Sequence, residues 1–478
     1  MALTRILLWL GNSFVGCAIV MAITALCGII VVEYVQALRF GFMTLVTGVI
    51  GAIFIATTRN TPAREKNSDA LAFLLLFWTL LPLILAVPYL FSGATTSFVT
   101  AYFETVSALT TTGASTLFAD ELPDTLLFWR SLLQWVGGVS AATFAVVVLA
   151  ALNLSGTGVH RSMLFTLKTG ELFERLIGIG RVVAGVYGVL SAFCFVGLVL
   201  TGTPIFESIC LAMTSVSTGG LTPRDGPLAE YVGPAGSMIL AVFCLLGAFS
   251  VAALWDVIRR SGWRDQLNLV RNIEHRGLIV IALILVIAGI AFAGPLHIWT
   301  LIPEAIFMAS GTGFDYQVIG IELLPPTILI ATALIGGSAL STTGGVKIIR
   351  IYLLFRHLVT DLFRLPHPSR SLPISFQGRI IPDRAFLSIW MYFFGYTIVL
   401  SLGIVALGAA GLDLSTAVST SAASLANMGP LLDASMTGTL YSDFTPSQQF
   451  TSSILMLLGR VEILALFAAI SSMADRRV

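Results

Sequence analysis

Four short stretches of this chain place hydroxyl, amide and glycine residues inside sequence that is otherwise apolar. They contain Thr111-Thr112-Gly113, Thr218-Gly219-Gly220, Gly311-Thr312-Gly313 and Asn427-Met428-Gly429, and their last glycines are 107, 93 and 116 residues apart. Such residues suit coordination rather than covalent chemistry. Glycine permits φ > 0 and keeps Cβ out of a lumen, so successive carbonyl oxygens can replace the hydration shell of a cation. Non-helical backbone cannot face lipid; at membrane depth it survives only buried in protein or lining a watery cavity. One glycine turn between membrane helices reads as a packing device. Four at near-even spacing imply a single cavity of pseudo-fourfold symmetry, the shape of an ion pore.

A second constellation is the run Gly336-Gly337-Ser338-Ala339-Leu340-Ser341-Thr342-Thr343-Gly344-Gly345, with four glycines and four hydroxyl residues in ten positions. Each glycine weakens a helix by about 1 kcal/mol relative to alanine. Two glycines alone read as a kink; ten such residues imply an unwound segment beneath the four turns, a candidate gate. Arg460 falls mid-way along another apolar stretch, where a guanidinium costs at least about 2.5 kcal/mol and must find partners. The carbonyls freed by the unwound segment are its candidate partners, ahead of Glu462, which points to a different helix face. Two readings of Arg460 stand, a static staple between helices and a latch. Lys347, at the edge of the run, either joins the loop or snorkels to the interface.

The elements that must position these residues are membrane helices. The chain has 478 residues, 56% of them hydrophobic and 11% charged, with mean hydropathy +0.93. Soluble domains carry about 25% charged residues, and a bilayer is crossed by about 20 apolar residues of helix. Ten spans are expected near 6–32, 39–58, 70–91, 126–152, 182–202, 233–255, 277–295, 323–350, 385–411 and 447–473. The first is too long for a signal-peptide core, and a second span follows at once. Basic residues cluster in alternate loops, with Arg59, Arg64 and Lys66, then Arg161 and Lys168, then Arg259 to Arg276, then Arg350 to Arg384. Asp120, Asp225, Asp315 and Asp433 fall in the loops between. The positive-inside rule then puts both termini in the cytoplasm, and the acidic outer loops would enrich cations at the mouth. The five cysteines lie in apolar stretches and the five histidines are scattered, which gives neither a disulfide framework nor a transition-metal site.

From about residue 67 four units share one plan: a span, a semi-polar segment of about a dozen residues, a glycine turn, an outer loop and a returning span. The segments Ser97 to Leu109, Pro204 to Val216, Trp299 to Ser310 and Leu414 to Ala426 are too short to cross but suit re-entrant half-helices. The C-terminus of each carries about −0.5 charge, so four aimed inward favour a monovalent cation. The fold class expected is an all-α integral membrane protein with ten transmembrane helices and four re-entrant half-helices. Its units are a non-pore hairpin at 1–66, then repeats at 67–160, 161–262, 263–366 (with the broken helix) and 367–478.

The stretch Glu104 to Ala114, with Gln134-Trp135-Val136-Gly137-Gly138, resembles the first repeat of the TrkH family, within the TrkH/KtrB/HKT superfamily of cation transporters. Ser217 to Leu221, Ser310 to Phe314, Gly336 to Lys347, Ala426 to Pro430 and Gly459 to Glu462 resemble its further motifs in order. One departure is Val139-Ser140, where the family more often has Met-Gly. The resemblance implies potassium uptake, with Rb+ and Na+ as further candidate ions. It implies a selectivity filter at Thr111, Thr112, Gly113, Thr218, Gly219, Gly220, Gly311, Thr312, Gly313, Asn427, Met428 and Gly429. The matching intramembrane gate comprises Gly336, Gly337, Ser338, Ser341, Thr342, Thr343, Gly344, Gly345 and Lys347, latched by Arg460. It further implies a homodimer in the cell inner membrane and a TrkA-like cytosolic ring with nucleotide-binding RCK domains. No cofactor, enzyme activity or nucleic-acid partner is expected; anionic lipid suits the bases. The rivals are a proton- or sodium-coupled carrier, which wants a titrating carboxylate at a broken helix, and an intramembrane hydrolase, for which no paired nucleophile and base is evident.

Overall fold

The computed structural model describes residues 3–59, 67–151, 172–260, 269, 271–294, 297–316, 324–366, 374–376, 379–381, 383–435 and 437–461. Two apolar helices, Leu3–Ile30 and Tyr34–Thr58, form the N-terminal hairpin. Gly11 and Gly51 face each other across it, and a Cβ on Gly11 would come within 3.0 Å of Gly51 O. Small residues thus let the two backbones approach. The turn between them supplies Glu33, whose carboxylate accepts from Asp124 N and Thr125 N at 3.0 Å and from Thr125 Oγ1 at 2.6 Å. That carboxylate caps the positive end of helix Asp124–Ala151, tying the hairpin to the next unit.

Beyond the hairpin the same succession of elements recurs. The first set is Asn67–Leu85 with Val87–Ser92, then Phe98–Leu109, then Asp124–Ala151. The second is Leu172–Leu200, Ile205–Val216, and Gly233–Ala248 with Val251–Arg260. The third is Ile273–Ala293, Ile298–Ala309, and Pro326–Ile335 with Ile348–Arg364; the fourth is Asp383–Ala409, Leu414–Leu425 and Pro446–Arg460. Each short helix has 12 residues. Their starts are set locally: Ser97 Oγ accepts from Thr100 N, Pro204 precedes the second, and the Asp413 carboxylate accepts from Ser415 N and Thr416 N.

Among the described residues six helices are long and apolar enough to cross a membrane, or seven if one bent pair counts as a single span. The chain is a multi-pass membrane protein. The expected sixth span, 233–255, is not continuous: its two halves meet at 100°. The cause is an exchange of hydrogen bonds. Ser250 N donates to His275 Nε2 at 3.0 Å, and the His275 ring stacks on Phe249 at 4.1 Å. Ala248 O accepts from Ser338 N at 3.3 Å, and Val251 N donates to Leu340 O at 2.9 Å. The helix therefore gives up its own ladder for partners on the glycine-rich run.

The expected eighth span is interrupted between Ile335 and Ile348. A two-residue antiparallel pairing, Ser375–Phe376 with Arg379–Ile380, departs from an all-helical chain. The boundaries expected near residues 66, 160 and 262, and Arg64, Lys66, Arg161, Lys168, Arg264, Arg370 and Glu462, lie outside the described residues. So does the expected tenth span after Val461.

Candidate functional site

The four turns begin where the four short helices end, and the backbone repeats the same bonds each time. The helix-capping N–H groups of Thr110, Ser217, Ser310 and Ala426 donate to Val106, Met213, Ile306 and Ala422 O at 2.8, 3.2, 2.8 and 2.8 Å. Two residues on, Thr112, Gly219, Thr312 and Met428 N donate to Ser107, Thr214, Phe307 and Ala423 O at 2.8, 2.9, 3.0 and 2.8 Å. The residues between, Thr111, Thr218, Gly311 and Asn427, have φ of 52°, 51°, 75° and 51°. Three of the four are not glycine, so the conformation is imposed by the fold rather than by residue freedom. Gly113, Gly220 and Gly313 follow at 81°, 81° and 71°. Gly429 departs from this pattern. It has no positive φ, and its N–H donates to Thr112 O at 2.6 Å, after which a short helix, Leu431–Ala434, begins.

The turns close on one another in chain order. A Cβ on Gly113 would overlap Gly219 O; one on Gly220 would lie 2.7 Å from Thr312 O. One on Gly313 would come to 3.2 Å from Met428 and Pro430, and one on Gly429 would overlap Ala114 N. Side chains lock the joints: Asn427 Nδ2 donates to Thr112 Oγ1 at 3.0 Å and Met456 O at 2.9 Å, while Gln134 Nε2 donates to Gly219 O at 2.5 Å. The returning helices fit beneath. Cβ atoms on Gly137, Gly247 and Gly459 would overlap the terminal carbonyls Leu109 O, Val216 O and Leu425 O. The resemblance had already drawn attention to Gln134, Gly137 and Gly459, without their contacts; Gly247 was not singled out from sequence.

On one side of the ring lies a cavity of about 280 Å³ floored by Gly113, Gly220, Gly313 and Pro430. Its wall includes Asp225, Glu304, Asp315 and Asp433 against a single guanidinium, Arg130. The outer loops are knit together there. Asp225 accepts from Ala119 N at 2.9 Å and Asp120 N at 3.0 Å, and Leu228 N donates to Asp315 O at 3.0 Å. Glu104 is fully buried and accepts from Thr116 N at 2.6 Å and from the hydroxyls of Ser115 and Thr116, so it holds the first outer loop. Glu207 is paired with Arg224.

On the other side lies the run Gly336–Lys347, which touches three of the turns directly and is joined to the first through Arg460. Thr342 Oγ1 meets Thr218 Oγ1 at 2.9 Å; a Cβ on Gly311 would contact Thr343 at 3.7 Å; a Cβ on Gly344 would overlap Ala426 O. Arg460 supplies the remaining link, donating from Nη1 to Thr342 O, from Nε to Thr110 O and from Nη2 to Thr111 Oγ1. Its partners thus include the first turn as well as the broken segment expected from sequence. Lys347 sits buried at φ 81° with Nζ donating to Thr343 O, so it joins the loop rather than reaching for the interface. Glu274, buried at the start of helix Ile273–Ala293, accepts from Ser338 Oγ at 2.7 Å and Ala339 N at 2.9 Å. Sequence reasoning passed over it because a lone carboxylate at a helix start reads as an ordinary N-terminal charge. A cavity of about 40 Å³ beside the loop, lined by Ser341, Thr343, Lys347 and Arg460, has room for no more than a few water molecules.

A family profile described as "Cation transport protein", TrkH, matches residues 35–313 and 301–476. The chain belongs to the TrkH family. It is 30% identical over 429 residues to the Trk system potassium uptake protein TrkH of Escherichia coli (strain K12), covering 87% of this chain and 88% of that one. It is 26% identical over 488 residues to the Trk system potassium uptake protein TrkI of Halomonas elongata, covering 96% and 94%. The crystal structure of the potassium transporter TrkH from Vibrio parahaemolyticus superposes with a TM-score of 0.87 at 26% identity, over 98% of both chains. Membership of this family makes the chain a cation transporter.

Proposed function

We propose that the chain takes up potassium through one channel-like pore, with the four turns as its selectivity filter and Gly336–Lys347 as its gate. The observation that carries this reading is the ring of four similar turns with an acid-walled cavity on one side and, on the other, a loop that touches three of them and is joined to the first by Arg460. The acid walls raise cation concentration at the mouth. The four short-helix C-termini add partial negative charge where an ion sheds water. The loop lies against them on the other side, with a cavity of only about 40 Å³ beside it. The relatives' potassium uptake names support K+ as the ion.

The rival carrier reading gains one observation. Glu274 brings a buried carboxylate to the broken helix, the chemistry proton coupling would use. Its oxygens are engaged by Ser338 and Ala339, which suits a tether. Flux in proteoliposomes of the purified chain, comparing K+, Rb+, Na+ and Li+ with and without a pH gradient, decides. K+-preferring flux indifferent to the gradient supports the channel-like reading; flux driven by the gradient overturns it.

The proposed setting is the cell inner membrane with both termini cytoplasmic, a homodimer, and a TrkA-like ring with RCK domains on the arginine-rich face. Cysteine substituted at Asp225 should react with an impermeant reagent from outside and cysteine at Arg259 should not. Reversed labelling overturns the orientation.

A further inference from the structure

An open groove of about 240 Å³ runs along the outside of the helices, with no part in the turns or the loop. Phe73, Phe77, Phe144, Leu176 and Ile177 supply its apolar walls. Two of its three hydroxyls are occupied: Ser13 Oγ donates to Trp9 O at 3.0 Å and Thr143 Oγ1 to Val139 O at 2.7 Å. With those two hydroxyls turned back onto their own helices and five large apolar side chains in its walls, the groove offers water few partners.

Its surroundings say what fills it. Three of the four contributing helices are long and apolar enough to cross a membrane, and on them Ile177, at the groove's rim, is 41% exposed, Ile19 57% and Val189 45%. The groove is therefore continuous with a face that acyl chains cover. Its depth follows from helix Asp124–Ala151. Gly138 on that helix lies against Ser217 and Thr342, at the level where turn and loop meet, and the groove begins one residue further on.

Phe144 belongs to two cavities at once. One face of it lines the groove; it also lines the small cavity beside the gate loop, with Ser341, Thr343, Lys347 and Arg460. Its ring is held by edge-on contacts to Phe77 at 4.9 Å and Trp78 at 6.1 Å. A single aromatic side chain thus stands between the lipid-facing groove and the space under the loop.

We propose that the groove is a site for the acyl chain of a bilayer lipid, in the leaflet on the gate-loop side, and that Phe144 is the partition between that chain and the gate cavity. The partition half rests on the pore reading above; the acyl-chain half does not. A lipid chain seated there packs against Phe144, so bilayer composition bears on the loop through one ring.

The test uses the full-length chain with Cys27, its partly exposed cysteine, replaced by serine. A bimane on Ser140→Cys is compared with one on Leu45→Cys, which is 69% exposed on the N-terminal hairpin. In phosphatidylcholine vesicles with brominated acyl chains, both should lose fluorescence to the same degree, and aqueous iodide should quench neither. Quenching at Leu45 without quenching at Ser140 means that protein, from this chain or a second copy, fills the groove, and overturns the site. For the partition, K+ flux is titrated with the membrane-soluble cation tetrahexylammonium. Phe144→Ala should be blocked at about tenfold lower concentration than wild type, since removing this half-buried phenyl joins the two spaces it separates, and Phe144→Trp should not. Phe144→Leu replaces the alanine variant if that one does not fold. Equal sensitivity in folded, conducting variants overturns the partition. A wild type without flux defeats the pore reading, while the bromine result still decides the acyl-chain site.

Discussion

The four turns and the loop Gly336–Lys347 are both glycine-rich, non-helical backbone at membrane depth, yet they are held in opposite ways. Each turn is bonded to the helix that precedes it, through N–H groups that donate five residues back with the same geometry in all four copies. The loop has local closures, Val346 N to Leu334 O and Lys347 N to Ile335 O at 2.9 Å, but it is also tethered from elsewhere. Glu274, Arg460, Thr218 and the broken backbone at Ala248 and Val251 come from three other spans and a turn. Locally closed backbone keeps its shape while neighbours shift; remotely tethered backbone changes when any tether lets go. This difference suits a fixed filter and a movable gate, because locally under-supported segments open at lower free energy than core elements.

Breaking the local side should give the largest effect. Gly113→Ser puts a Cβ onto Gly219 O at φ 81°, so the ring must deform. The expected outcome is a K+/Na+ permeability ratio in vesicles about tenfold lower, equivalent to about 1.4 kcal/mol of discrimination. Arg460→Ala comes next, because Arg460 is bonded to both regions. Losing charge-assisted bonds worth about 1.5 kcal/mol each should raise K+ flux per folded protein several-fold without a regulatory partner. Its contacts to Thr110 and Thr111 add a partial loss of selectivity. A variant that folds and conducts like wild type would make Arg460 a staple. Thr218→Val removes a single neutral bond to Thr342 and should change flux by about twofold, the scale of about 0.5 kcal/mol at the low end for such a bond. A larger change would mean the second turn carries the loop.

The turns were legible because each needs glycine after its short helix, and the broken eighth span because four glycines cannot propagate a helix there. The sixth span hid its bend. Phe249 and Ser250 are no helix breakers, and the bend depends on His275 and Ser338, far away in sequence. Gly429 looked equivalent to its three counterparts, but Pro430 and the helix that follows turn its backbone another way. Glu274 was opaque for the same reason, and Gln134, although it lies in a motif that carries the resemblance, gave no sign of its bond. A lone polar residue announces a role only when its partner is known, and their partners lie 64 or more positions distant.

Glu274→Ala offers the most direct test, because Glu274 touches the loop and none of the turns. Unidirectional K+ flux and the K+/Na+ ratio are to be measured on the same proteoliposomes, normalised to folded protein. A separately tethered gate predicts flux raised by about threefold, a shift of about 0.7 kcal/mol between closed and open loop, with the ratio unchanged. A ratio that falls together with the flux change, or a flux that does not move, would contradict the division into a fixed filter and a movable gate.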